Sequence, residues 1–566
     1  MKTLRLGIAR GLCLLFSVFG AFSGYTQTLT DLYAFGSPSD AESPNGLAQG
    51  TNGVFYGSAR NGGTNGFGAL FQITAAGVER NLYSFQDGND GGSPGAGLTQ
   101  GTNGLFYGVA ETGGSNGYGS IFEITTNGTF TALHSFARLK AKGTTGLLTN
   151  IDGDTPTAAL TLGTNGNFYG SASQGGTNSF GTLFEMTHQG KVTVLYSFSN
   201  TVDGGAPLAA LLQFTNGNFY GTTTTGGSNG YGTFFQLTAA GKVTPLYSFT
   251  GGDDGAIPEA PLINGHDGNL YGTCTAGGSG GSGTIFKITT NGVLTPLYSF
   301  TQTSVGSPYY NNDGADPKTL ILGQDGNFYG AAYDGGTNGA GGIFEFNEIA
   351  GLAPIYSFSY LSYNGLLYEN SDGGNPSGLL QASDGDFYGT GFDGGTNAGG
   401  AFFRIGFAPE IIDQPVSVGV SLNSNTSFSI TATGGLAYQW QLDNTNLPNA
   451  TNSTLSLTNV VLANAGYYDA IVTNVNGATT SSVVTLGITN VPISFAVGDG
   501  GFSYGDGQAT LELTNLAGQG ALVIDASTDL INWIPIFTNP PGFGVLQFID
   551  TDAGTYTNRF YRARTQ

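Results

Sequence analysis

Cysteine is almost missing from this 566-residue chain, which has only Cys13 and Cys274. Charged residues make up 10%, and 16 Lys and Arg face 38 Asp and Glu, for a formal charge of −22. These shortages exclude several things. Two cysteines cannot build a disulfide framework, so packing must hold the fold together. A chain this acidic repels nucleic acid and anionic lipid, so no nucleic-acid partner is expected. No stretch after the N-terminus is long and apolar enough to span a bilayer, which takes roughly 20 apolar residues.

The N-terminus reads as a secretory leader. Lys2, Arg5 and Arg10 precede a short apolar run from Leu12 to Phe22, and Ala21-Phe22-Ser23 suits cleavage. The run is too short for a membrane anchor, and Cys13 has no lipoprotein box before it. Residues 1–23 are therefore expected to be removed, which takes the formal charge from −22 to −25. The expected location is secreted, extracellular or on the outer cell surface, and the expected state is a monomer.

What the chain does have is 97 Gly, 39 Phe and 28 Tyr, the material of many short strands joined by tight turns. A Tyr-Gly pair recurs at Tyr56, Tyr107, Tyr169, Tyr220, Tyr271, Tyr329 and Tyr388, at spacings of 51, 62, 51, 51, 58 and 59. A Leu-Tyr-Ser-Phe box accompanies it, beginning at Leu32, Leu82, Leu133, Leu195, Leu246, Leu297 and, as "IYSF", Ile355. Double glycines start at Gly62, Gly113, Gly175, Gly226, Gly277, Gly335 and Gly394. An Asp stands four residues before a Pro at Asp40, Asp90, Asp152, Asp203, Asp254, Asp313 and Asp372.

Each period divides into four strands, for example "AALTL", "NFYGSAS", "GTLFEMT" and "KVTVLYSF" in the third copy. "GTNGN" is an Asn-Gly hairpin turn and "QGGTNSFG" a longer one. Leu183, Phe184 and Met186 fall on both faces of their strand, as in a sheet packed on both sides. The first box, Leu29 to Phe35, lacks three preceding strands, and the last copy stops at Ile405 without a fourth. These complementary ends predict a seven-bladed β-propeller over residues 24–408, with the N-terminal strand completing the last blade. An open solenoid, the alternative, would need caps. The motifs "GNFYGT", "GG[ST]N" and "LYSF" resemble the tandem repeat family named for Gloeobacter and Verrucomicrobia, over residues 29–405. That resemblance implies an exported bacterial repeat protein and transfers no catalytic residue.

After Pro409 the pattern changes. "YQW" with Trp440, "TLSLTNV" from Thr454 and "NAGYYDAIVTN" from Asn464 resemble a bacterial immunoglobulin-like domain over residues 409–489. The resemblance makes Trp440 the core tryptophan and Tyr468 the tyrosine corner, with Ile430 and Ala470 where a disulfide would sit. Residues 490–566, with "ALVIDASTDLINWIPIFTN" and "RFYRAR", resemble a C-terminal module of exported Verrucomicrobia proteins. There Trp533, Phe560 and Tyr561 are expected in the core of a small β-sandwich. The whole chain is thus read as all-β.

Catalytic chemistry has little to stand on. His134, His188 and His266 lie in different repeats, and no HExxH, CxxC or Gly-x-Ser-x-Gly occurs, so the chain is read as non-enzymatic. A glycosidase with two carboxylates from distant blades stays open, as does a structural spacer. Calcium has weak candidates in Asp87, Asp90, Asp152, Asp154, Asp313 and Asp316, against an Asx-turn role for the repeated aspartates such as Asp40, Asp203 and Asp254. No other cofactor is expected. The period stretches at Phe136–Pro156, Phe300–Pro317 and Phe358–Pro376. The last two insertions bring Tyr309, Tyr310, Tyr360, Tyr363 and Tyr368 near Asp313 and Asp372, and the first brings Asp152 and Asp154. Insertions on a rigid scaffold are where ligands are taken up, here polysaccharide or another surface protein.

Overall fold

The computed structural model describes residues 27–36, 40–142, 147–304, 309–363, 368–434, 437–474, 476–489, 493–496, 501–518 and 520–566. The expected leader and Cys13 lie outside them. Among the described residues everything regular is strand, apart from two single 3-10 turns. No helix among them is long and apolar enough to cross a membrane.

The chain divides into two compact units. In the first, β1 (Thr28–Ala34) is followed by a meander of β2 (Ala41–Gln49), β3 (Phe55–Gly62), β4 (Ala69–Ile73) and β5 (Glu79–Ser84). Six more antiparallel sheets follow in the same order along the chain. The seventh has only three strands of its own, Gly374–Gln381, Phe387–Asp393 and Ala401–Gly406, and β1 adds the fourth beside Ala401–Gly406.

The sequence explains why these sheets bury both faces. In the third copy, Phe168–Ala172 is buried throughout, and so are Thr182, Leu183, Phe184 and Met186 on its neighbour. Gly170 pairs with Phe184, whose ring lies over it, and a Cβ on Gly170 would sit 2.5 Å from the ring's Cζ. The glycine of Tyr-Gly therefore makes room for the third strand's aromatic. The tyrosine beside it meets the next sheet: Tyr56 stacks on Phe106 at 4.2 Å, and in tilted pairs Tyr107 meets Phe168 at 4.2 Å, Tyr169 meets Phe219 at 4.0 Å and Tyr329 meets Phe387 at 4.3 Å. Tyr388 of the seventh sheet meets Phe55 of the first at 4.5 Å. Each such pair is worth about 0.5–1.5 kcal/mol beyond the area it buries.

Hydrogen bonds repeat the same pattern. The residue before each repeat proline has a positive φ: Ser43, Ser93, Thr155, Ala206, Ile257, Asp316 and Asn375, at 48–58°. That conformation is strained for any residue with a side chain, most of all for β-branched Ile257. It turns each N–H toward a carbonyl of the preceding sheet. Ser93 donates to Phe67, Ala206 to Phe180, Ile257 to Tyr231, Asp316 to Ser282 and Asn375 to Ala340, and Ser43 donates back to Gly399 of the seventh sheet at 2.8 Å.

The second unit contains residues 406–566. Ala437–Leu442 pairs with Gly466–Asn474, which pairs with Val484–Ile488. Thr426–Ser429 pairs with Thr454–Leu457 in another sheet. Trp440, Tyr468, Ile430 and Ala470 all lie in the core between them. Trp440 Nε1 donates to Asn452 O at 2.9 Å, and Tyr468 OH to Asn464 O at 2.6 Å. Residues 409–489 and 490–566, expected as separate modules, belong here to one compact unit, and Ala517 packs into the Trp440 core.

One expectation is corrected in this unit. Trp533 is only half-buried and lies under the Arg562 guanidinium at 4.6 Å, while Phe560 is exposed and Tyr561 half-buried. The buried core is Leu513, Leu522 and Ile524, with Tyr561 packed against it as expected. The strand Phe560–Thr565 borders Leu522–Ser527 with its arginines turned to Asp525, whose Oδ2 accepts from Arg562 Nε and Arg564 Nε at 2.9 Å each. Hydrogen bonding to Arg564, with Arg562 adding to it, holds the Asp525 carboxyl below its ordinary range.

Candidate functional site

The repeated aspartates are accounted for by the fold. In six of the seven copies the tyrosine of the Leu-Tyr-Ser-Phe box donates its hydroxyl to the Asp of the following connection. The pairs are Tyr33–Asp40 (2.8 Å), Tyr83–Asp90 (2.9 Å), Tyr196–Asp203 (3.0 Å), Tyr247–Asp254 (2.9 Å), Tyr298–Asp313 (2.8 Å) and Tyr356–Asp372 (2.6 Å). In the remaining copy His134 Nε2 meets Asp152 Oδ2 at 3.0 Å. Backbone amides at the end of the same strand add to this, as from Gln86, Ala137, Ser199, Thr250, Thr301 and Ser359. The aspartate thus accepts backbone N–H bonds ahead of the proline, as expected of a turn aspartate, and through the box tyrosine it also clamps a sheet's last strand to the connection that leaves it. Its position three residues before the strained pre-proline residue gives the clamp its purpose, because strain persists only where the surroundings over-determine it.

The clamps also move three expected ligand contacts. Asp152, Asp313 and Asp372 are buried, with their oxygens taken up by their own connections. Asp154 is buried too and accepts from Thr155 Oγ1 at 3.1 Å; burial raises its carboxyl. Asp87 accepts from Thr112 Oγ1 at 2.9 Å, and Asp316 pairs with Lys318 at 3.1 Å. Among the described residues no three His, Cys, Asp or Glu are grouped so as to hold a metal ion, and the calcium candidates are dispersed among these separate partners.

The double-glycine hairpins are tied to the connections. Gly176 has φ +77°, and its N–H donates to Asn150 Oδ1 at 2.7 Å. Gly336 and Gly395 donate in the same way to Asn311 (3.0 Å) and Asn370 (2.9 Å). Each of these hairpins is therefore tied to the insertion that precedes it in its own copy. The five insertion tyrosines stand out there: Tyr309, Tyr310, Tyr360, Tyr363 and Tyr368 are 54–60% exposed. Tyr363 and Tyr368 face each other across a two-residue ladder at 5.2 Å.

A second set of side chains surrounds Asp316, and its other members were not anticipated. Lys318 Nζ pairs with Glu259 Oε2 at 2.5 Å and with Asp316 Oδ1, and Asn375 Nδ2 donates to Asp334 Oδ1 at 3.2 Å. Burial, with Glu259 and Asp334 adding to it against the pull of Lys318, pushes the Asp316 carboxyl up to about 6. Burial likewise raises Asp334 and Asp393, the latter helped by the Asp334 charge. Asp334 and Asp393 occupy the position just before the double glycine, held elsewhere by Asn61, Thr112, Gln174, Thr225 and Ala276. Comparing that column of the repeats would have drawn attention to them.

Comparison with known proteins gives one family. The family described as Gloeobacter/Verrucomicrobia repeat matches residues 17–212 and 147–312, together more than half of the chain. No curated protein matches. Among solved structures, that of titin M4 is 26% identical and matches 14% of this chain and 96% of its own, with a TM-score of 0.14. The titin Ig tandem domains A164-A165 are 13% identical and match 25% and 94%, with a TM-score of 0.19.

Proposed function

We propose, from the premise that the chain belongs to the Gloeobacter/Verrucomicrobia repeat family, that it is an exported, non-enzymatic binding protein. Its seven sheets would be the blades of a β-propeller, a reading supported by the place of β1 in the seventh sheet and by the return of that sheet onto the first. The ligand, polysaccharide or another surface protein, would be taken up on the insertion rim. The observation that carries this is the set of five tyrosines held more than half exposed on two successive insertions. An exposed tyrosine offers an apolar face and a polar tip, which suits stacking on a sugar or packing in a protein interface.

The test is a glycan array probed with the chain from residue 24 and with its Tyr309, Tyr310, Tyr360, Tyr363 and Tyr368 all changed to Ser. The native chain is expected to bind, and the variant at least tenfold more weakly with an unchanged melting temperature. Absence of glycan binding by the native chain would remove the polysaccharide arm. Equal binding by the variant would remove the tyrosines.

A second reading is favoured by one observation, the raised carboxyl of Asp316 among Glu259, Asp334 and Asp393. A carboxyl that burial and neighbouring carboxylates push upward is what a glycosidase uses as its general acid. On that reading the native chain releases reducing ends from a polysaccharide, and Asp316→Asn lowers the rate at least a hundredfold, the scale of general-acid catalysis. A panel of polysaccharides with no reducing ends released would dispose of it.

A further inference from the structure

We infer that the polysaccharide is an uncharged one and that it lies in the open groove between Thr301–Ser304 and Tyr310–Asn312. The inference rests on the binding reading above and names its ligand class. The groove holds about 630 Å³, within the range of about 300–1,000 Å³ usual for small-ligand sites. Among the described residues its lining consists of hydroxyl and amide side chains with one aromatic ring, and none of them is charged.

Three properties of this groove point to neutral sugar. The first is its frame. Ser304 N donates to Tyr310 O at 2.9 Å, and Tyr310 N to Ser304 Oγ at 3.1 Å. Asn311 Nδ2 donates to Thr301 O at 2.8 Å and Gly314 O at 2.7 Å, while its Oδ1 accepts from Gly314 and Gly336. Both walls are therefore held before any ligand arrives, which lowers the ordering cost of binding.

The second is the supply of groups. Gln302 and Asn312 line the groove, exposed and unused by these ties. Each amide both donates and accepts, as a sugar hydroxyl does. Tyr310, 54% exposed, supplies the stacking face.

The third is charge. Asp313, the carboxylate next in the chain, is buried and spends its oxygens on the Tyr298 hydroxyl and on the Thr301 amide and hydroxyl. Among the described residues no cation lines the groove to meet a uronate or sulfate, and the chain as a whole, at −22, repels polyanions.

Affinity electrophoresis of the chain from residue 24 tests this, in gels containing β-glucan, galactomannan or dextran and in gels containing alginate or pectin. Retardation by at least one neutral polymer and by neither anionic one is expected. Tyr310→Ala, and separately Gln302→Ala with Asn312→Ala, should each weaken the retardation at least tenfold without moving the melting temperature. Retardation by an anionic polymer alone overturns the neutral class and leaves the binding reading standing. Retardation by a neutral polymer that is lost in Tyr360→Ala/Tyr363→Ala/Tyr368→Ala but kept in both groove variants overturns the groove and again leaves that reading standing. No retardation in any gel overturns the groove together with the polysaccharide arm of that reading.

Discussion

Deleting residues 27–36 is expected to abolish cooperative melting of the repeat unit and to drive the protein into soluble aggregates. β1 is the outer strand of the seventh sheet, beside Ala401–Gly406. Phe35, just after it, is fully buried against Phe71 at 5.0 Å, in a cluster with Phe55 and Phe402. Its N–H donates to Gly400 O at 3.0 Å, and its carbonyl accepts from Gly399 N at 3.1 Å. Asn397 Nδ2 donates to Ala34 O, and Tyr33 holds the Asp40 clamp. Truncating a buried Phe to Ala alone costs about 3–5 kcal/mol. A lost strand adds about 1 kcal/mol for each hydrogen bond. Together these approach the whole stability of a typical protein, about 5–15 kcal/mol. The deletion also leaves Ala401–Gly406 as a bare edge, a template for pairing with other copies. Calorimetry and size-exclusion chromatography read both effects. A deleted chain that stays monomeric and melts where the native one does would show that β1 is dispensable. Phe35→Ala is the milder version, expected to lower stability without aggregation.

Asp203→Ala is expected to cost about 2–4 kcal/mol, because it orphans several donors at once. Asp203 Oδ2 accepts from Tyr196 OH at 3.0 Å and Ser199 N at 2.9 Å. Its Oδ1 accepts from Ser199 Oγ at 2.5 Å and Thr201 N at 3.2 Å. Three residues later Ala206 is held at φ 52°, and its N–H ties the third sheet's hairpin through Phe180 O at 3.0 Å. Loss of the clamp thus loosens a contact between sheets as well as a turn. Asp203→Asn keeps one acceptor and is expected to cost about half as much.

The same clamp has a pH signature. Burial pushes the Asp203 carboxyl up, but the Ser199 hydroxyl and amide, the Tyr196 hydroxyl and the Thr201 amide outweigh it, so the carboxyl titrates below its ordinary value. A carboxyl depressed in the folded state adds stability above its unfolded pKa, near 3.9, and that stability is lost as pH falls through the lower folded value. The gap in melting temperature between the native chain and Asp203→Asn should therefore be full at pH 7 and narrow below about pH 4. A gap that is the same at pH 7 and pH 3 would mean that the charge contributes nothing. A native-like melting temperature for Asp203→Ala at pH 7 would remove the clamp altogether.

Much of the local structure was legible because its causes are local. Asn-Gly turns such as "GTNGN", the Tyr-Gly pair and the double glycine each announce a backbone geometry within a few residues. The unmatched box near Leu29 and the missing last strand after Ile405 were legible too, because strands must be paired somewhere. The clamps were only half legible. A spacing before proline that recurs in all seven copies marked Asp203, but its Tyr196 partner lies seven residues back, on the far side of a turn, and only the folded course of the chain joins them. Trp533 and Phe560 misled because size and aromaticity say that a residue should be buried without saying where. The strand that carries Phe560 turns its arginines to Asp525 and leaves that ring outward.

By itself, then, the sequence determined the strands, the turns between them, the sevenfold repetition and the insertions that bear the five tyrosines, since all of these follow from short-range sterics and periodicity. Only the tertiary structure decided which carboxylates are spent and which remain. Asp152, Asp313 and Asp372 are used up inside the clamps, while Glu259, Asp316, Asp334 and Asp393, spread over three copies, come within electrostatic reach of one another. Coulomb interaction and burial depend on distance through space, and no spacing along the chain encodes that distance.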